Sequence, residues 1–182
     1  MVEIRFTQAM KDILRGIKGK QLVSLEYGKD PVDNSIYGNF RLYIDDYAID
    51  VTNEVKPLSF FDGIEDISGF TCCKTEKDVP FKPIAVSDCQ IIPVEEKITG
   101  IEIVTDEIDV NHSEYRICFD TALIIRTTSK ILMFTREIWF SEVITFSQHD
   151  DYGSVIPIQE VAESWSNEGE YSVDVKRNKV VL

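Results

Sequence analysis

Two thirteen-residue stretches, FRLYIDDYAIDVT at 40–52 and YRICFDTALIIRT at 115–127, constrain the fold more than anything else in the chain. In the first, Phe40, Leu42 and Ile44 alternate with Arg41 and Tyr43; in the second, Tyr115, Ile117 and Phe119 alternate with Arg116 and Cys118. A period of two places one set of side chains on each face of an extended strand. Both segments therefore call for a sheet that buries at least one face. Aligned without a gap they also share Arg41/Arg116, Asp45/Asp120, Ile49/Ile124 and Thr52/Thr127.

Each stretch reads as a strand, a turn at Asp45-Asp46 or Asp120-Thr121, and a return strand rich in β-branched residues. With one inserted residue the echo continues from IEDISGF (64–70) to FSEVITF (140–146). The expectation is an internal duplication of a β unit, spanning about 20–72 and 97–147. Residues 73–96 read as a connector, because Pro80, Pro83 and Pro93 argue against a central strand, although CQIIPV suits an edge strand.

The ends differ in period. Over 6–18, Phe6, Met10, Ile13, Leu14 and Ile17 share one face at helical spacing, opposite Lys11, Arg15 and Lys18, with Thr7 as a cap and Gly19 at the end. Near the other terminus Pro157 opens a short helix carrying Ile158, Val161 and Trp165, and EYSVDVKRNKVVL reads as two strands turning at Arg177-Asn178. The whole chain, 1–182, is expected to be one α+β domain of mostly antiparallel sheet, with an amphipathic N-terminal helix and a helix plus hairpin over 150–182.

Charge narrows the functional classes. The net charge is −13, yet residues 1–20 carry +3, so the remainder carries −16. Nine acids and no lysine or arginine lie between Arg136 and Lys176. Such a surface repels phosphate backbones and anionic headgroups and attracts basic partners. No run approaches the roughly 18 apolar residues of a membrane span, and MVEIRFTQAMKDILR is charged where a secretory signal is apolar. Cys72 and Cys73 are adjacent, while Cys89 and Cys118 stand alone, a spacing that suits free thiols in a cytoplasmic protein better than a disulfide framework.

No motif announces catalysis. His112 and His149 belong to no metal-ligand spacing, Ser113 beside His112 points to the opposite face of a strand, and phosphate-cradling glycine patterns are missing. A nuclease-like Asp followed by E-x-K occurs twice, at Asp88 with Glu95 and Lys97 and at Asp50 with Glu54 and Lys56, a repetition that marks it as chance. The sequence calls for no cofactor and no metal.

Two readings remain. The first is an acidic protein-binding module, in concrete form an immunity or antitoxin-type inhibitor of a basic protein. Its expected surface comprises Asp150, Asp151, Glu160, Glu163, Glu168 and Glu170, with Trp139, Tyr152 and Trp165 as aromatic anchors. The second is a small-molecule or hydrolytic site between the β units, with Arg41, Asp45, Arg116 and Asp120 related by pseudo-symmetry.

Overall fold

Period-two segments dominate the chain, and in the computed structural model they become, among the described residues, ten strands of one sheet. The structure describes residues 1–29, 35–60, 63–84, 88–137, 141–149, 155–166 and 168–182. In chain order the elements are β1 (Val2–Ile4), α1 (Gln8–Arg15), β2 (Gln21–Lys29), β3 (Ile36–Ile44), β4 (Tyr47–Phe60), β5 (Gly63–Glu76), β6 (Cys89–Val110), β7 (Tyr115–Thr127), β8 (Ile131–Arg136), β9 (Val143–His149), α2 (Ile158–Trp165) and β10 (Val173–Val181). Among the described residues all strand pairings are antiparallel except that of β1 with β7.

The pairings close on themselves. β7 pairs with β8, β8 with β9, β9 with β3, β3 with β2, β2 with β6, and β6 again with β7. Six strands thus form a ring, and its interior is filled by Leu22, Leu25, Phe40, Leu42, Ile101, Ile103, Leu123, Leu132 and Phe134, all fully buried. Phe40 and Phe134 stack across it at 4.0 Å between ring centroids. The β4–β5 hairpin branches from β3, β10 lines up on β6, and β1 on β7. β1 runs so close to β5 that a Cβ on Gly69 would collide with the Cγ2 of Ile4, which accounts for the glycine there.

β7 and β8 are covered on both sides. Leu123 and Leu132 face the ring interior, whereas Ile124, paired with Met133, joins a separate cluster with Val104, Ala122 and Val155. A third cluster forms where α2 lies on the far ends of β6 and β7: Val161 and Trp165 pack on Ile108, Val110, Ile117 and Phe119. At the opposite end of the chain α1 follows its sequence pattern. The Thr7 side chain accepts a hydrogen bond from the Met10 amide, Leu14 and Ile17 are buried, and Arg15 and Lys18 face water.

Three expectations are corrected. The first concerns the duplication. FRLYIDDYAIDVT forms a hairpin with exposed Asp45 and Asp46 at its turn, but YRICFDTALIIRT is a single continuous strand. Where a second turn was expected the register steps from Val104↔Ala122 to Thr105↔Asp120, a bulge that accommodates Thr121 without ending the strand. Asp120 remains inside because its carboxylate accepts hydrogen bonds from the Phe6 amide and the Thr105 hydroxyl, each at 2.7 Å. The shared letters therefore do not show a duplicated unit.

Secondly, the connector is narrower than 73–96: β5 continues to Glu76 and β6 begins at Cys89. Among the described residues Pro93 sits in the half of β6 that pairs with β2 alone, an edge position where proline is tolerated. Lastly, the C-terminal hairpin does not form. β6 is long enough to pair with every residue from Val173 to Val181, and Arg177, expected at the turn, binds Asp106 on β6.

One polar latch sets an acid-sensitive term. Glu96 accepts hydrogen bonds from the Thr127 hydroxyl and from the Ser129 hydroxyl and amide, closing the β7–β8 turn, and these bonds lower its pKa to about 2. Because the folded pKa lies below the ordinary value of 4.5, the stabilisation is complete above pH about 4.5 and is lost as pH falls toward about 2. Urea melts between pH 5 and pH 2 should show a shallower loss of stability for Glu96→Gln than for the native chain. Parallel curves would mean that the latch contributes nothing.

Candidate functional site

A short helix held over a sheet by two side chains leaves space where its packing is incomplete. Beneath α2 this space is a cavity of about 160 Å³. Phe119, Ile156, Val161 and Trp165 supply apolar walls; Thr121 and Arg136 line the sheet side, and Glu137, Glu160 and Ser164 complete it. Trp165, only 3% exposed, stacks near Phe119 with 6.3 Å between ring centroids.

The sheet side is unusually polar for a buried layer. Arg136 is fully buried, donates from Nε to the Ser68 hydroxyl at 3.2 Å, and lies 4.7 Å above the Phe119 ring. Burial lowers its pKa to about 9, against the opposing pull of Asp120 and Asp106. Those two carboxylates are bonded to other groups. Asp106 accepts Arg177 through two bonds of 2.7 and 2.8 Å and the Thr121 hydroxyl at 2.7 Å. Asp120 has the Phe6 amide and Thr105, with Arg5 3.7 Å away, and burial raises its pKa in spite of these partners. Arg177 also donates from Nη1 to the Ile156 carbonyl, tying the approach to α2 to the same network.

The expected acidic surface is present in part. Glu160 and Glu163 on α2, and Glu168 and Glu170 after it, are all exposed. Asp150, Asp151, Tyr152 and Trp139 lie outside the described residues. Trp165 is a correction: its ring anchors α2 to the sheet and is not offered to a partner. Ile158, 43% exposed on α2, is the apolar side chain this surface does present.

The pseudo-symmetric site does not assemble. Arg41 is buried in a two-bond pair with Asp50, reaches the Val79 carbonyl, and fastens the 77–84 loop to the sheet. Asp45 stands at the exposed hairpin turn. Arg116 pairs with Asp109 at 3.3 Å, whereas Asp120 is buried against Phe6. The four residues have four different sets of partners. Arg116 does line a larger groove, about 450 Å³, but opposite charges neutralise one another there: Arg116 faces Asp109, and Lys176 is opposite Glu107 in the ladder.

Among the described residues no three His, Cys, Asp or Glu side chains gather as metal ligands would. The four free cysteines all have pKa values raised by burial, Cys72 to about 12, which keeps them as thiols at neutral pH. No known protein family matches the chain, and no curated protein or solved structure matches it. The functional reading thus comes from the chain's own chemistry: a β-sheet protein with an acidic helix laid over a small, arginine-lined cavity.

Nothing in the sequence pattern marks Arg136, Asp106, Thr121 or Phe119 as site residues. The available signal for Arg136 was its parity: it follows Phe134 by two in ILMFTR and so continues a buried side of the strand. A cation in that position has to be housed by the fold.

Proposed function

We propose that this protein is an acidic binding module that engages a basic protein through α2 and the turn after it. The observation that carries the reading is the exposure of Glu160, Glu163, Glu168 and Glu170 within a stretch of chain that has no lysine or arginine from 137 to 175. Glu160, Glu163 and Glu168 have no ion-pair partner among the described residues. Their field therefore points outward and would steer a cationic surface toward Ile158, which supplies apolar contact. An inhibitor of a basic toxin domain, of immunity or antitoxin type, is the concrete form of this proposal. The four free thiols suit a cytoplasmic setting for it.

The test compares the native chain with a variant carrying Glu→Gln at 160, 163, 168 and 170. Each is immobilised, exposed to host extract and eluted along a salt gradient. A basic protein held by the native chain, released at moderate salt, and bound on the order of ten-fold more weakly by the variant is the expected result, since exposed pairs contribute roughly 0.2–1 kcal/mol each. Equal retention by both forms, or no basic protein retained by either, overturns the proposal.

A further inference from the structure

We infer that β10 is a self-association edge: two copies of this chain join antiparallel about a two-fold axis at Val175, which sets Asp174 of each copy opposite Lys176 of the other. This is independent of the acidic surface of α2.

Among the described residues β10 pairs with β6 alone, so its other side has no ladder partner. The Ser172 and Leu182 amides donate toward β6, to Asn111 Oδ1 and to the Ile101 carbonyl. Backbone groups point alternately to the two sides of a strand, and the β10–β6 register runs without a bulge. The N–H and C=O groups of Val173, Val175 and Arg177 therefore face the open side. An open row of this kind is a template for another strand.

Charge selects the occupant. A symmetric antiparallel pair places one residue opposite its own copy. Centring on Asp174, Lys176, Arg177 or Lys179 sets like charges against each other, and centring on Asn178 opposes Arg177 to Lys179 twice. Val173, Val180 and Val181 lie near the ends and bring little of the strand into the ladder. Val175 takes in the middle of β10 with no like pair: Asp174 meets Lys176, and Val173 meets Arg177. The valines then exchange backbone hydrogen bonds, and Asp174 and Lys176 fall at the intervening position, where side chains approach more closely.

Both charges are available. Asp174 and Lys176 are exposed and have no ion-pair partner among the described residues. Within its own chain Asp174 stands opposite Asp109, a like charge that Arg116 already engages, so a cation across the open edge relieves it. Lysine on an edge ordinarily discourages pairing; against Asp174 it favours it. Two chains of net charge −13 repel, and an edge contact is small, so the association belongs to the weak, transient class.

The experiment follows the mass of the full chain by analytical ultracentrifugation from micromolar to millimolar concentration, with amide resonances of ¹⁵N-labelled protein recorded over the same range. The expected result is a monomer–dimer equilibrium whose shifts centre on Val173, Val175 and Arg177. Lys176→Asp and Asp174→Lys should each weaken it on the order of ten-fold, because each sets two like pairs across the axis. Mixed in equal amounts, the two variants should associate again, since every like pair becomes an opposite pair. Several results would overturn the inference: a monomer at every concentration, which leaves the edge to a strand of another protein or to none; a dimer whose shifts map elsewhere; undiminished association of either folded variant; or no recovery when the folded variants are mixed. Mapping on the native chain decides the matter even if a variant is unstable.

Discussion

Asp106→Ala should cost the protein about 3–5 kcal/mol, the range for removing one partner of a buried ion pair. Asp106 is fully buried, and three donors converge on it: two from Arg177 and one from Thr121. Alanine would leave the Arg177 guanidinium with its carbonyl partner at Ile156 but without its counter-charge, and would orphan the Thr121 hydroxyl. Arg177 retains 19% exposure, so water can reach part of it, which favours the lower end of the range. Asp106→Asn keeps the shape and one acceptor and should cost less. Urea melts of the three proteins measure this directly. A loss below about 1 kcal/mol for the alanine variant would show that water replaces the carboxylate freely and that the pair holds little of the fold together. Hydrogen exchange adds a local readout: Arg177 sits on β10 and bonds the Ile156 carbonyl just ahead of α2, so amides on both sides of that link should lose protection together.

How much of this was legible in advance depended on the range over which each signal acts. Helix α1 was readable because Phe6, Leu14 and Ile17 recur at its own period and Thr7 caps it, all within a dozen residues. Antiparallel sheet was readable from alternation in 40–44 and 115–119. Continuity through Asp120-Thr121 was not, because an Asp-Thr pair is ordinary turn chemistry. What keeps it in a strand is the Phe6 amide, 114 residues away in sequence, together with Thr105 across the ladder. The same holds for Arg177-Asn178, which resembles a turn until Asp106, 71 residues earlier, engages the arginine. Both errors are local polar signals overruled by buried, non-local hydrogen bonds. The candidate site divides likewise. Its exposed carboxylates are visible as a charge run, while its cavity arises only when Trp165, Phe119 and Arg136 are brought together by packing.

Trp165→Ala tests whether that packing is what makes the site. Truncating a large buried aromatic ordinarily costs about 3–5 kcal/mol. Here the cost should fall mainly on one element. α2 spans eight residues, shorter than the roughly 12–15 an isolated helix needs to be even marginal in water, so it is helical only while docked. Val161 and Trp165 are its buried contacts, and removing the larger leaves Val161 to hold it. The variant should keep the ring core and its cooperative unfolding but lose exchange protection in α2. Loss of the near-ultraviolet signal of the Trp165–Phe119 pair will accompany substitution in any case, so protection of the α2 amides is the deciding measurement. If α2 remains protected, the helix is secured by something other than its indole. If it is released, the cavity beneath α2 loses a wall and opens to solvent. Salt-dependent capture of a basic partner should then weaken only partially, since Glu160 and Glu163 lose their fixed geometry but keep their charge. Trp165→Phe, which preserves an aromatic against Phe119, should restore protection and distinguish a missing wall from a misfolded chain.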